Sequence, residues 1–290
     1  MGLFPPLFIP TYITVNAVRR AAKTLDQSTN DDDILLWIAD DCSRKIEQYT
    51  RRQFFPRHQT IKVDWPSSYE LDLPDDLLSL TTLTNGDGNI IYDTEPSTGV
   101  QNIFYYAQDQ YPRYKIQLGI QSGKVFLFVG TPQQSITLDA IWGYPAYENT
   151  GQYYVSTAAT VQDTTQQSAS QTTLLTQTGN FYAGQMLLIG SEYELIQSVS
   201  VGTTNDTLTV LRAACGSTAA AHANGTAIYQ ILVHPVIVRA AWRIIQWSYE
   251  IRSNAMYGTS SISGMGEKIV PLSIPEDVKD DLNGFIRGHR

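Results

Sequence analysis

Charge and reactive side chains are scarce in this 290-residue chain. Asp, Glu, Lys and Arg make up 17% of it, and acids outnumber bases to a net charge of −8. Proteins that grip nucleic acid do so by neutralising phosphates with Lys and Arg. This balance excludes that mode, while an acidic wall around DNA that is not held remains compatible with it. There are two cysteines, Cys42 and Cys215, too few for a disulfide framework or a zinc knuckle, so idle thiols in a reducing compartment are expected. The four histidines, His58, His222, His234 and His289, include no pair at metal-binding helical spacing. No nucleophile elbow, Walker loop or dinucleotide fingerprint occurs. No apolar run is long enough to cross a bilayer. The first residues, MGLFPPLFIPTYI, carry three prolines and no basic region, unlike a signal peptide.

The carboxylate pairs do not make a hydrolase site either. Asp40-Asp41, Asp75-Asp76 and Asp280-Asp281 are adjacent in sequence and so point apart, while Asp31–Asp33 and Glu276-Asp277 sit where helix starts favour negative charge. His222 as a base would need Glu192 or Glu194; the plainer reading is a loop histidine bonded to backbone that fixes the turn before Gly225. No catalytic, metal-binding or cofactor-binding residue is expected, and the chain reads as a non-enzyme.

What is abundant is tyrosine, 17 residues, a bias that suits strands and interfaces. The clearest element runs from Asn30 to Pro56. Acids occupy its first turn, Ile34, Ile38, Cys42, Ile46 and Tyr49 form an apolar stripe, Leu35 and Trp37 widen it, and Pro56 ends it. A short helix capped by Thr14 precedes it, with Val15, Val18, Ala22 and Leu25 as its stripe. After Pro56 the period becomes two: Ile61–Trp65 and Tyr69–Leu73 read as a hairpin turning at Pro66-Ser67-Ser68, and Asn85-Gly86-Asp87-Gly88 turns a second. Residues 95–114 read as an aromatic loop, followed by strands at Lys115–Leu118, Lys124–Val129 and Ser135–Trp142. Residues 150–178, rich in Thr, Gln and Ser, begin like a linker, and β-type runs follow at Leu174–Thr176, Gln185–Ser200, Thr207–Arg212 and Thr226–Leu232. Pro235 opens a long helix with Val236, Ala240, Ile244, Trp247 and Ile251 on one face. Tyr257–Lys268 has tether composition, and Pro275 opens a last short helix with Val278, Leu282, Phe285 and Ile286 on one face.

Several of these stretches carry a resemblance. Tyr49-Thr50-Arg51-Arg52-Gln53-Phe54 resembles the "Y-T-G-R-x-F" helix ending of bacteriophage head–tail adaptor (connector, gp6-like neck) proteins, with Arg51 where the family has glycine. Gly143-Tyr144 resembles their final strand ending, His234-Pro235 their next helix start, and Ile274-Pro275-Glu276-Asp277-Val278 with Leu282 their tail. Between them, Gly184–Glu192, Leu208–Arg212 and Gly216–Thr226 are similar to a small phage β module, "G-D-x-I-x-I-x-x-E … L-T-V-x-R-G … G-T-x-A-x-x-H-x-x-G-T". Here Gln185 replaces the aspartate, Ala213 the glycine, and Ser217 is inserted.

The expected fold is therefore α+β: a bundle of about four helices with β-hairpins or a small antiparallel sheet, plus an inserted all-β module. Residues 1–148 and 233–290 would form the adaptor core and 149–232 the insert. The resemblance implies a structural virion protein of the neck, assembled in the host cytoplasm. It would form a ring, a dodecamer by analogy, under the portal protein, extend the DNA channel and receive tail or neck proteins. DNA would pass without specific binding, and no membrane or cofactor is involved. Val278, Leu282, Phe285 and Ile286 are the expected portal-binding residues, and Arg239, Arg243, Tyr105 and Tyr106 the expected contacts between subunits. A rival reading is a tail-fibre, baseplate or carbohydrate-binding protein in which residues 150–232 recognise a receptor, and a third is a hydrolase.

Overall fold

The computed structural model describes residues 10–21, 32–93, 102–106, 110–163, 168–179, 181–253, 260–261, 268–269 and 274–288. The fold is α+β, with four helices and two antiparallel six-stranded sheets among the described residues. Sheet therefore dominates, which corrects the expectation of a helical bundle carrying hairpins. Contacts divide the chain into two compact units, Arg52–Val155 with Cys215–Ser217, and Met1–Arg51 with Ser156–Ala214 and Thr218–Arg290.

The unit beginning at Arg52 holds strands β1 (Arg57–Val63), β2 (Glu70–Thr84), β3 (Ile90–Asp93), β4 (Ile103–Tyr106), β5 (Arg113–Leu118) and β6 (Ile136–Trp142). Their order is β1-β6-β2-β5-β4, with β3 beside β2. Strand β6 organises the sheet because its alternation is complete: Ile136, Leu138, Ala140 and Trp142 are fully buried, while Thr137, Asp139 and Ile141 face the other way. It pairs with β1 on one side and β2 on the other. The hairpin expected between Ile61–Trp65 and Tyr69–Leu73 is thus absent. Period-two patterning marks each strand but does not name its neighbour, and the strand from far downstream takes the place between them. The second expected hairpin is present, β2 to β3 across Asn85–Gly88. Part of the aromatic loop is also strand, since Phe104-Tyr105-Tyr106 favour extended backbone and pair with β5. Lys124–Val129, expected as a strand, joins no ladder and makes one bridge, Gly86 to Phe128.

The other unit contains helices α1 (Val15–Ala21), α2 (Asp32–Thr50), α3 (Pro235–Ser253) and α4 (Glu276–Asn283). Thr14 caps α1 as expected, its Oγ1 accepting from the Ala17 N–H at 3.2 Å; Ala22, Leu25 and the Asn30 cap lie outside the described residues, as does most of 257–268. On α2 the buried stripe is Leu35, Ile38, Ala39, Cys42 and Ile46, and Trp37, expected to widen it, is 57% exposed. On α3 the buried positions are Ile237, Ala240, Ala241, Ile244 and Ile245. Helices α2 and α3 are in contact, and the small buried side chains of Ala39 on α2 and of Ala240 and Ala241 on α3 favour close packing.

The same unit carries β7 (Tyr154–Thr160), β8 (Thr173–Gln177), β9 (Met186–Ile189), β10 (Glu192–Ser200), β11 (Asn205–Leu211) and β12 (Ala227–Ile231) in the order β7-β12-β9-β10-β11-β8. Strand β7 falls in the stretch that reads as a linker; its Tyr, Val and Thr residues have strand propensity that the low charge obscures. Just past β7, Val161 bridges to Thr176 and the Gln162 N–H donates to Leu175 O at 2.8 Å. The two outer strands therefore meet, and the sheet curls into a small barrel without a long free edge. Leu174, Leu187, Ile189, Ile196, Leu208 and Ile228 belong to its core.

Two departures from the resembled patterns share one geometry. Arg51 has φ +56° and its N–H donates to Glu47 O at 2.7 Å, closing α2 in the left-handed conformation that favours glycine. Ala213 has φ +53°. Both pattern glycines thus correspond to positions where a Cβ is strained. Arg51→Gly and Ala213→Gly are each expected to raise stability by about 0.5–1 kcal/mol. A higher urea midpoint at unchanged m-value would show it, and an unchanged or lower midpoint would argue against strain.

Candidate functional site

Two buried polar clusters stand out. The first closes one end of the barrel. Across the β9–β10 ladder Ile189 faces Glu192 and Leu187 faces Glu194, so both carboxylates share the inward face with core side chains. Arg212, one residue beyond β11, meets them. Its Nε and Nη2 donate to the two oxygens of Glu192 at 2.8 and 2.7 Å, and Nε lies 2.9 Å from Glu194 Oε1. Nη1 donates to the carbonyls of Ser168 and Gln171, both at 2.8 Å. Glu192 also accepts from the N–H groups of Ala213 and Ala220, each at 2.9 Å, and from His222 Nε2 at 2.9 Å. The acidic, basic and histidine positions of the module pattern thus converge on one fully buried carboxylate. A forked guanidinium–carboxylate pair of this kind is strong and orientation-specific. It ties the segments around 168–171 and 213–222 to the barrel wall.

The sequence reading of His222 needs correction: its ring meets a carboxylate rather than backbone. Arg212 was missed as its partner, although a lone Arg closing the otherwise apolar inward series Leu208, Val210 was the available signal. The ligand atoms of Glu192, Glu194 and His222 lie within 4.8 Å of one another, near enough to share a cation. Arg212, hydrogen-bonded to one carboxylate and ion-paired with the other, supplies that cation as a side chain.

Burial pushes the Glu192 carboxyl up, but the bonds from Arg212, the Ala220 and Ala213 N–H groups and His222 outweigh it and hold the group down at about 2. A carboxylate with a depressed folded pKa contributes stability above its unfolded value, near 4.5, and that contribution is lost as pH falls toward 2. It amounts to about 3 kcal/mol at neutral pH. Urea midpoints measured between pH 5 and pH 2 should fall steeply, and Glu192→Gln should flatten that slope. An equally steep fall in the Gln variant would locate the acid sensitivity elsewhere.

The second cluster brings together two of the stretches that carry the adaptor resemblance, the helix ending and the strand ending. Arg52 forms an ion pair with Asp76, whose side chain is 3% exposed, and its guanidinium lies 5.0 Å from the ring centre of Tyr144. Phe54, fully buried, packs on the same ring at 5.5 Å. Tyr144 donates its hydroxyl to Glu148, and its N–H donates to Gln53 O at 2.9 Å. Burial and the adjoining Glu148 push the tyrosine hydroxyl up, so it stays a donor. Gly143 has φ +143°, and a Cβ there would lie 2.6 Å from Phe55 O; the chain can turn beside Phe55 because this residue is glycine. This knot positions two chain segments against one another.

The expected contact residues are dispersed. Val278 and Leu282 are fully buried, Phe285 is nearly so, and Ile286 is 41% exposed. Phe285 stacks edge-on with His234 at 4.8 Å, and the Arg287 N–H donates to Thr50 O at 2.9 Å. Arg239 pairs with Asp281 at 2.7 Å, and Arg243 pairs with Asp277. Tyr105 is half-buried with Arg113 stacked 3.9 Å over its ring, and Tyr106 is 48% exposed on an outer strand. Among the described residues no helix is long and apolar enough to cross a membrane. No protein-family model matches the chain, and no curated protein matches it in sequence.

Proposed function

We propose that this chain is a bacteriophage head–tail adaptor: a structural, non-catalytic protein forming a ring under the portal, extending the DNA channel and offering a platform to tail or neck proteins. The observation that carries the reading is the knot of Arg52, Phe54, Gly143 and Tyr144. The two motifs that resemble the family's helix ending and strand ending are far apart in sequence and pack on each other, as parts of one inherited core would. The packing of α2 against α3 across the intervening strands supports it in the same way. A closed ring needs a heterologous interface, two different patches on each copy that fit one another. In the arrangement of α4, Ile286 is the member of the expected portal-binding stripe that faces outward, and Arg239 and Arg243 are engaged with α4 through ion pairs. The net charge of −8 suits a wall past which DNA slides without counterion-releasing contacts.

The reading is tested by sedimenting the purified chain with DNA-filled heads that carry a portal and with heads that lack one. Binding to the first and not the second is expected. Equal binding to both, or salt-sensitive binding to free duplex DNA, would refute it.

A further inference from the structure

The segment Lys124–Val129 exposes an apolar strip. Val125, Leu127, Phe128 and Val129 are 40%, 45%, 39% and 71% exposed, while Phe126 between them is buried in the core. This strip is built rather than loose. Asn85, itself buried, donates Nδ2 to Val125 O at 2.9 Å and accepts from the Leu127 N–H at 2.8 Å. The Gly86 N–H donates to Leu127 O at 3.0 Å, and a Cβ on Gly86 would lie 2.5 Å from that oxygen, so the backbones touch. Trp65 Nε1 donates to Phe126 O at 2.9 Å, and its ring lies 5.0 Å from Phe128. Phe128 and three aliphatic side chains are thus held outward on a fixed backbone, with the half-buried Trp65 ring against Phe128. Contiguous apolar surface of this kind marks an interaction site.

The chain supplies a complementary element. Met1–Ile9, outside the described residues, reads MGLFPPLFI, with no charged side chain. The chain after it is anchored: Arg44 Nη2 donates to Pro10 O at 2.9 Å, and the Tyr12 hydroxyl donates to Glu47 at 2.6 Å. Nine residues reach about 30 Å when extended. Pro-rich apolar segments dock on aromatic-lined surfaces because their preset backbone loses little entropy on binding. The geometry points to Met1–Ile9 of a second copy as the occupant of the Val125–Val129 strip. The arm of each copy and the strip of the next would then be the two different patches that a closing ring requires. The inference rests on the ring reading above.

The test is complementation, followed by light scattering after size-exclusion chromatography. One variant lacks Gly2–Ile9 and keeps the strip. The other carries Leu127→Glu with Val129→Glu, at exposed positions that leave the fold intact by near-UV circular dichroism, and keeps the arm. The parent chain should assemble and each variant alone should be monomeric. An equimolar mixture should give a species of two chains, one of each kind. A monomeric parent, or a mixture that stays monomeric, overturns the proposal. Assembly that survives the deletion but not the Glu substitutions means another surface covers the strip, and it overturns the arm as occupant. No heads are present in this assay, so its failure is distinct from failure of portal attachment. A chain that assembles through the arm yet ignores portal-bearing heads refutes the adaptor reading alone.

Discussion

Leu282→Ala is expected to lower the unfolding free energy by about 2–5 kcal/mol. Leu282 is fully buried on α4, a helix of eight residues. A helix that short does not persist alone, because nucleation is unfavourable and few bonds repay it. Its stability comes from packing Val278 and Leu282 inward and from the ties at its ends, the Tyr49 hydroxyl to Asn283 at 2.7 Å and Arg287 to Thr50. Removing the Leu side chain forfeits its transfer energy and leaves a cavity between helices. Ile286→Ala, at a site 41% exposed, should change stability by less than about 1 kcal/mol. The comparison bears on function. A tail that hangs free until it meets the portal would make both substitutions nearly silent in urea melts of the isolated chain and would make Leu282→Ala fail in head binding.

Arg212→Met should cost about 3–5 kcal/mol at pH 7. The substitution leaves the Glu192 and Glu194 carboxylates at the inward face of the barrel without the guanidinium that offsets their charge, and frees the Ser168, Gln171 and Ala220 carbonyls from their shared donor. Most of the loss is the penalty of an uncompensated buried charge rather than the worth of the ion pair itself. It should therefore shrink at pH 4, where protonation of the carboxylates becomes affordable, and in the double variant Glu192→Gln/Arg212→Met. A loss under about 1 kcal/mol at pH 7 would mean that the cluster does not hold the barrel end closed.

The elements were largely legible in the sequence, and their partners were not. Periodicity located α2, α3 and β6 because one face of each is buried and the other is not, whereas β9, buried on both faces, stood out as a continuous apolar run. It misplaced the pairing of β1, since alternation in Ile61–Trp65 is satisfied equally by β2 or by β6. It missed β7 because Tyr154–Thr160 is mostly half-exposed to exposed, with no apolar face to read. Lys124–Val129 has the continuous apolar and aromatic composition of a strand, yet the Asn85 side chain and the Gly86 N–H take up backbone bonds that a ladder would have used. Glycine substitution proved informative in reverse: Arg51 and Ala213, conspicuous as departures from the resembled patterns, sit at positive φ where glycine is the unstrained choice. The buried carboxylate cluster was half-visible. Glu192 and His222 could be paired by eye, but which charge neutralises them depends on register, and register places Arg212 there.

The central claim is decided most directly by electron cryomicroscopy of the full chain mixed with DNA-filled, portal-bearing heads. The account predicts a closed ring of this chain, coaxial with the portal at the unique vertex, with an uninterrupted channel along its axis. Heads with a bare portal vertex beside trimers or monomers of the chain, or density confined to fibres or to the capsid surface, would contradict it.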